Sequence, residues 1–320
     1  MCGIVGLLVK NPALRPKLGA LMVPMFVGMT ERGPDSGGLA VFGAPVAEGL
    51  RKLSLYVEAA EFDWDGFLAR VVAELDPAAT MTRQGTVRRN HAILVTAVAP
   101  ARVRAWIAAA APAMYVLSAG RSIDLYKDIG LPAEIAANYG FEALAGTHLV
   151  GHTRMATESA VTPAHAHPFT AGEDFCLVHN GSLSNPYSIR RKLEPLGISF
   201  VTDNDTEAAC RYLEWRMREG EDLHSAIRRG FDELDGFYTF LMGTADEIAI
   251  VRDAFACKPA VVAETDDWVA IASEFRSLAH LPGIEHADLF EPAPERIYVW
   301  RVEGGARTDA TPAAPQAVAA

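Results

Sequence analysis

Met1-Cys2-Gly3-Ile4-Val5-Gly6 sets a thiol at the head of an apolar run that reads as a buried strand. If Met1 is removed, Cys2 carries a sulfur nucleophile and a free α-amino group on one residue. That pairing matters because a thiol is a weak nucleophile until a base takes its proton, and an unperturbed α-amino group titrates near pH ~8. Excision is chemically reasonable, since a small second residue favours it and cysteine is small. The plainer reading of Cys2 is a small apolar residue that begins a core strand. A lipoprotein cysteine is not expected, because no apolar segment precedes it. The choice between nucleophile and core residue falls to the rest of the chain, which must supply the other groups that amide hydrolysis needs.

At 320 residues, half of them hydrophobic, the chain is long enough for one large domain or two modest ones around a sizeable core. A formal charge of -11 argues against a phosphate-backbone footprint, and the densest basic groupings, Arg88-Arg89 and Arg190-Arg191-Lys192, are short. No nucleic-acid partner is expected. No apolar run approaches the ~20 residues of a spanning helix and no secretory signal is visible, so the expectation is a cytoplasmic protein with no membrane partner. Cys2, Cys176, Cys210 and Cys257 lie far apart with no CxxC, which indicates neither a disulfide framework nor a metal site.

Leu14, Leu18, Leu21, Met22, Met25 and Met29 recur at three- and four-residue steps and predict a helix over about 12–31, kinked at Pro24. Arg32-Gly33-Pro34-Asp35-Ser36-Gly37-Gly38 then forms a turn rich in residues that tolerate unusual dihedrals, before a strand over 39–42. Residues 44–146 have a pattern of their own. A strand over 91–98, a helix over 100–110 and a strand over 113–117 suggest a small α/β insert, equally open as a spacer or as a partner-docking surface. Strands over 148–152 and 174–179 each end in a polar cluster, the way a sheet presents chemistry at one rim. Thr202-Asp203-Asn204-Asp205-Thr206-Glu207 opens a helix to about 219, and a second helix covers 222–234. Hairpins within 238–252 and 260–273 complete an α+β pattern of helices layered on antiparallel strands. The Ala-, Pro- and Thr-rich end, 304–320, reads as a disordered tail.

In Gly151-His152-Thr153-Arg154-Met155-Ala156-Thr157 a guanidinium stands just past a strand end, where its fork suits a substrate carboxylate; a surface salt bridge is the ordinary alternative. His179-Asn180-Gly181 offers an amide side chain and an approachable backbone N–H, the two donors of an oxyanion hole, though Asn-Gly more often makes a tight turn. Asp205, at a helix start, could take a substrate ammonium or simply cap the helix, where Asn204 and Glu207 resemble a capping box. Each signal is weak alone. Behind a second-position cysteine they supply what cleaving the side-chain amide of a free amino acid requires: nucleophile, base, two oxyanion donors, a cation for the α-carboxylate and an anion for the α-ammonium.

On these residues the sequence resembles the class II glutamine amidotransferases, N-terminal-nucleophile (Ntn) hydrolases that release ammonia from glutamine. The resemblance runs through residues 1–9, RGPDS at 32–36, GHTRMATESAVTPAHAHPF at 151–169, HNG at 179–181 and TDNDTE at 202–207, and more weakly through Val251-Arg252-Asp253 and Ala272-Ser273-Glu274. It implies a four-layer αββα sandwich of two antiparallel sheets, in an amidotransferase domain over 2–303 with the insert at about 44–146. It implies Cys2 as nucleophile, Asn180 and Gly181 as oxyanion donors, Arg154 as carboxylate ligand and Asp205 as ammonium ligand. Thr157 and His179 would stand beside the substrate, and Arg32 in the loop that closes over bound glutamine. Ala256-Cys257-Lys258-Pro259 departs from the Gly-Arg-Lys-Pro-like turn of many relatives, away from the catalytic set.

Tyr126-Lys127-Asp128-Ile129-Gly130, Asn138-Tyr139-Gly140 and the run GTHLVGHTRMATESAVTPAHAHPF at 146–169 look most like the stand-alone amidotransferase subunit of N-methylglutamate synthase, related to the glutamate synthase N-terminal domain. That type implies a glutaminase subunit with no cofactor of its own, in keeping with the lack of a Walker loop or GxGxxG, and separate glutamate-synthase-like, flavin-binding synthase subunits as partners. Three alternatives stay open: the amidotransferase subunit of a glutamate synthase, a catalytically idle scaffolding subunit, and another N-terminal-cysteine amide hydrolase.

Overall fold

Gly3–Val9 is buried at every position, as befits a strand covered on both faces. The computed structural model, which describes residues 2–59, 61–78, 82–156 and 160–303, places it at the centre of a seven-stranded antiparallel sheet. Edge to edge the strands are Asp288–Phe290, Val261–Glu264, Trp268–Ala272, Gly3–Val9, His148–Arg154, Ser36–Phe42 and Ile123–Ile129. A second antiparallel sheet runs Tyr298–Arg301, Glu247–Arg252, Gly236–Gly243, Cys176–Leu183 and Phe169–Thr170.

Alternate residues of each strand serve different cores. Ile4, Leu8, Ala40, Phe42 and Val150 meet Val178, Leu241, Ile248 and Trp300 of the second sheet. On the opposite face, Val5, Leu7, Leu39 and Val41 pack under Met22, Met25 and Phe26 of the helix Leu18–Val27. The outer face of the second sheet, with Leu177, Phe240 and Val251, lies against Ala208 and Leu213 of Asp205–Arg218, Ile227 of Leu223–Glu233 and Ile189 of Pro186–Leu193. Helix, sheet, sheet and helix make the αββα layering that the sequence pattern and the resemblance implied. The helix expected over 12–31 divides into a 3-10 turn, Pro12–Lys17, and the α-helix Leu18–Val27, because Pro12 and Pro16 withhold two N–H groups from the first turns.

A third sheet, in the order Arg83–Arg88, His91–Thr96, Arg51–Val57, Met114–Gly120, is covered by the helices Trp64–Leu75 and Pro100–Ala110. This β-α-β-β-α-β unit is ferredoxin-like and has its own core of Leu53, Leu55, Trp64, Phe67, Val71, Leu94, Val103 and Ile107. The expected insert at about 44–146 takes in more than this unit. Ile123–Ile129 pairs with Ser36–Phe42 as an edge strand of the main sheet, and Ile135 of Pro132–Asn138 joins the main core. The expected tail at 304–320 lies outside the described residues. Among those described, no helix is long and apolar enough to cross a membrane.

Candidate active site

The start of the central strand is held on both sides. Gly3 stands opposite Thr153, which on its other side faces Gly37, so Arg154 emerges beside Cys2. The Cys2 Sγ lies 3.9 Å from the Met155 carbonyl. Ser273 clamps the next residue, its Oγ accepting from the Ile4 N–H at 3.0 Å while its own N–H donates to the Ile4 carbonyl. Arg32, buried, donates from Nε to the Cys2 carbonyl at 3.0 Å and from Nη1 to Glu274 Oε1 at 2.8 Å. Arg32 thus grips the backbone of the cysteine. Gly33 permits this approach: a Cβ there would lie 2.3 Å from the Thr153 carbonyl carbon. Burial pushes the Cys2 thiol up, with Arg154 and Arg32 pulling the other way. The thiol is therefore protonated near neutrality and needs a base before it can attack.

Arg154 is buried, only 4% exposed, and its Nη1 donates to the Ala160 carbonyl at 3.0 Å. Burial pulls its guanidinium down, opposed by Cys2, Asp35, Asp203 and Asp205, which places Cys2 and Asp205 in one electrostatic neighbourhood with it. Asp35 ties the following loop in place, its Oδ2 accepting from the Ala156 N–H at 2.8 Å.

His179-Asn180-Gly181 is not a tight turn. It continues the strand Cys176–Leu183, with Asn180 opposite Thr239 and Gly181 opposite Tyr238. Gly181 has φ 144°, and a Cβ there would meet the Phe237 carbonyl oxygen at 2.0 Å, so only glycine fits. Asn180 is 2% exposed and its Nδ2 has no hydrogen-bond partner among the described residues. A dry, unspent amide donor costs stability and suits a group that forms its bond only with an oxyanion. Beneath it three buried histidines share one hydroxyl and one carbonyl. His167 Nε2 and His179 Nδ1 lie 2.8 and 3.0 Å from Thr206 Oγ1, and His152 Nε2 donates to the His179 carbonyl at 2.9 Å. Burial pulls His152 down to about 3 and His167 well below the usual histidine range, so both are neutral supports.

Asp205 is freed from capping because Asn204 does that work, its Oδ1 accepting from the Thr206 N–H at 2.8 Å. The capping box does not form: Glu207 instead accepts from the Val201 and Thr202 N–H groups at 2.9 and 2.7 Å, closing the loop before the helix. Asp205 Oδ2 accepts from the Leu183 N–H at 2.9 Å, and its Oδ1 stands 3.7 Å from His179 Nδ1. Burial works against its charge, but His179 and the N–H groups of Leu183 and Thr206 outweigh it and pull the carboxyl down to about 2. The site therefore offers a fixed anion and a fixed cation, with the amide donor set on the strand between them in sequence.

Thr157 lies outside the described residues. Ser273, Glu274, Thr206, His152, His167 and Lys127 were not singled out from sequence, although each falls inside a motif quoted above; what the motifs lacked was any sign of which side chains turn inward. A cleft of about 1000 Å³ opens at the opposite ends of the same strands, against Gly43, Ser122, Thr147 and Asp174, and shares no residue with this site.

The family model for the glutamine amidotransferase domain matches residues 152–280. The glutamine amidotransferase-like protein GlxB of Rhizobium meliloti is 48% identical over 301 residues, covering 94% of this chain and 98% of that protein. An amidophosphoribosyltransferase of Archaeoglobus fulgidus is 33% identical over 160 residues, 49% of this chain and 35% of that protein. Among solved structures, glutamine phosphoribosylpyrophosphate amidotransferase from B. subtilis has a TM-score of 0.60 at 18% identity, covering 96% of this chain and 49% of that one, a likeness of fold. With nearly half its residues shared along almost the whole of the Rhizobium protein, the chain belongs to the class II glutamine amidotransferases, amidohydrolases of the Ntn fold.

Proposed function

We propose that this chain is a glutaminase subunit that hydrolyses glutamine through a Cys2 thioester and serves separate glutamate-synthase-like, flavin-binding subunits, most closely those of N-methylglutamate synthase. The observation that carries the glutaminase reading is the buried Asn180 Nδ2, without a partner among the described residues, on the strand that also anchors Asp205, with Arg154 and Cys2 side by side at the rim of the facing sheet.

The chemistry follows from those positions. The Arg154 fork takes the α-carboxylate of glutamine and Asp205 takes the α-ammonium, with His179 beside it. The α-amine of Cys2, free once Met1 is excised, takes the thiol proton; the thiolate attacks the side-chain carbonyl, and Asn180 Nδ2 with the Gly181 N–H receives the oxyanion. The amine returns the proton to the departing nitrogen, so a C–N bond breaks, a C–S bond forms and ammonia leaves. Water then attacks the thioester, restoring the thiol and releasing glutamate. Arg32 fixes the Cys2 backbone throughout.

The acceptor reading is supported by the YKDIG segment at 126–130 and the run at 146–169. A pull-down from native extract tests it: capture of a flavin-binding synthase subunit, with methylamine-dependent turnover by the complex, is the expected result. Turnover that instead requires 2-oxoglutarate would make this a glutamate synthase subunit. A complex whose chain consumes no glutamine would make it a scaffold.

A further inference from the structure

We infer that Lys127 is a positioning residue for the glutamine site, an internal ammonium clamp that holds the 160–167 loop in the shape Arg154 needs and slackens when it loses its proton. The inference rests on the glutaminase reading above. Lys127 belongs to the edge strand Ile123–Ile129 yet is 5% exposed. Its Nζ donates to the Ala166 carbonyl at 2.8 Å and the Ala164 carbonyl at 3.2 Å, and lies 4.9 Å from the centre of the Phe169 ring. A buried ammonium satisfied by carbonyls and a ring, without an ion-pair partner among the described residues, is a poor device for stability, since an apolar side chain of the same length would avoid the desolvation. Its carbonyl partners both lie in one loop.

That loop touches the site at both ends. Its Ala160 carbonyl accepts from Arg154 Nη1; its His165 Nε2 stands 2.9 Å from Asp203 Oδ1, two residues before Asp205; and its His167 reaches Thr206. Gly38 lets the loop press onto the sheet, for a Cβ there would lie 2.3 Å from the His167 carbonyl oxygen and 2.5 Å from Lys127 Cβ. With the charge at 127 gone, two carbonyls in the middle of this loop lose their strongest donor. The cation that meets the substrate carboxylate then loses its support.

Other titratable groups face Lys127: His167 on the loop, Glu207 and Cys210 on Asp205–Arg218, and His91 of the insert, whose Nε2 accepts from the Lys127 N–H at 3.4 Å. Burial draws the ammonium down to about 8, with Glu207 and Cys210 opposing. His91 is pulled to about 3 and His167 far below neutral, while Cys210 is pushed well up, so none of these three titrates alongside it.

The test compares wild type with Lys127→Met, and with Lys127→Gln as a second variant that retains a donor without the charge, in the assembly as purified. At pH ~7 the expected result for Lys127→Met is a KM for glutamine raised about tenfold or more with kcat within about threefold, and Lys127→Gln between the two. The ratio of variant to wild-type KM should shrink toward one by pH ~9, as the wild-type lysine discharges. Taking this ratio cancels titrations common to both proteins. Stability runs the other way: a lysine pKa lower in the folded state adds stability above its unfolded value and loses it as pH falls through about 8. Lys127→Met should therefore be as stable as wild type, or more so, at neutral pH. An active wild type whose variants show an unshifted KM, a pH-independent KM ratio, or a KM rise matched by lost stability would overturn the inference alone. A wild-type assembly that turns over no glutamine would overturn the glutaminase reading with it.

Discussion

Asn180→Ala should separate chemistry from stability. The wild-type Nδ2 is buried with no partner among the described residues, and such an unsatisfied group costs ~1–3 kcal/mol. Truncation removes that cost but leaves a small gap, so the unfolding free energy should stay within about 1 kcal/mol of wild type, in either direction. Turnover should respond differently. An oxyanion donor is engaged only in the transition state, and its loss lowers kcat by about 10² to 10³, or ~3–4 kcal/mol, with little change in KM. Ammonia release at saturating glutamine gives kcat, and urea unfolding monitored by tryptophan fluorescence gives the stability of the same preparation. A kcat within about threefold of wild type would remove Asn180 from the oxyanion hole. A fall in kcat matched by an equal fall in stability would reduce it to a structural residue.

Arg154→Lys keeps the charge but loses the two-pronged geometry, so KM for glutamine should rise by about tenfold or more; an unchanged KM would contradict its role as carboxylate ligand. Gly181→Ala places a Cβ 2.0 Å from the Phe237 carbonyl at φ 144°, and should cost roughly 1–3 kcal/mol of stability along with turnover. An unshifted urea midpoint would show that the strand accommodates the side chain. Asp205, its carboxyl pulled down to about 2, contributes stability that is present above its ordinary value and lost as pH falls through about 2. Because its side chain is partly exposed, that contribution is discounted to roughly 1–2 kcal/mol, and Asp205→Asn should flatten the acid limb of the unfolding curve. Parallel limbs for variant and wild type would mean that the carboxylate is not held as described.

The parts of this fold that were legible in sequence are those in which one physical demand acts on adjacent residues. Gly3–Val9 is apolar throughout because both its faces are covered, and Asp222 to Ser225 marks a helix start because the cap is local, the aspartate accepting from the Ser225 N–H. The edge strand Ile123–Ile129 was swallowed into the insert. Asp124, Lys127 and Asp128 interrupt its apolar run, and what makes it a strand is pairing to Ser36–Phe42 some ninety residues away. Within the insert, Arg83–Arg88 is hidden from a sequence reading because it is a mostly exposed edge with no apolar face to read. At the site, residue types and order gave the chemistry, because nucleophile, cation, donors and anion must each be of one kind. Orientation was not readable. That Arg32 turns toward the Cys2 carbonyl follows from Glu274, a partner on a distant segment, whereas Asp205 is free of capping because its neighbour Asn204 takes the cap, a choice between adjacent residues that the motif leaves open.

The central claim, a terminal cysteine that is both attacker and base, is tested most directly by the intact mass of the purified, active protein before and after reaction with a glutamine-analogue diazoketone. The account predicts a chain lacking Met1 that takes up one label, placed on Cys2 and not on Cys176, Cys210 or Cys257, with loss of turnover in step with labelling. An active chain that keeps Met1, or a Cys2→Ala variant that still turns over glutamine, would contradict it.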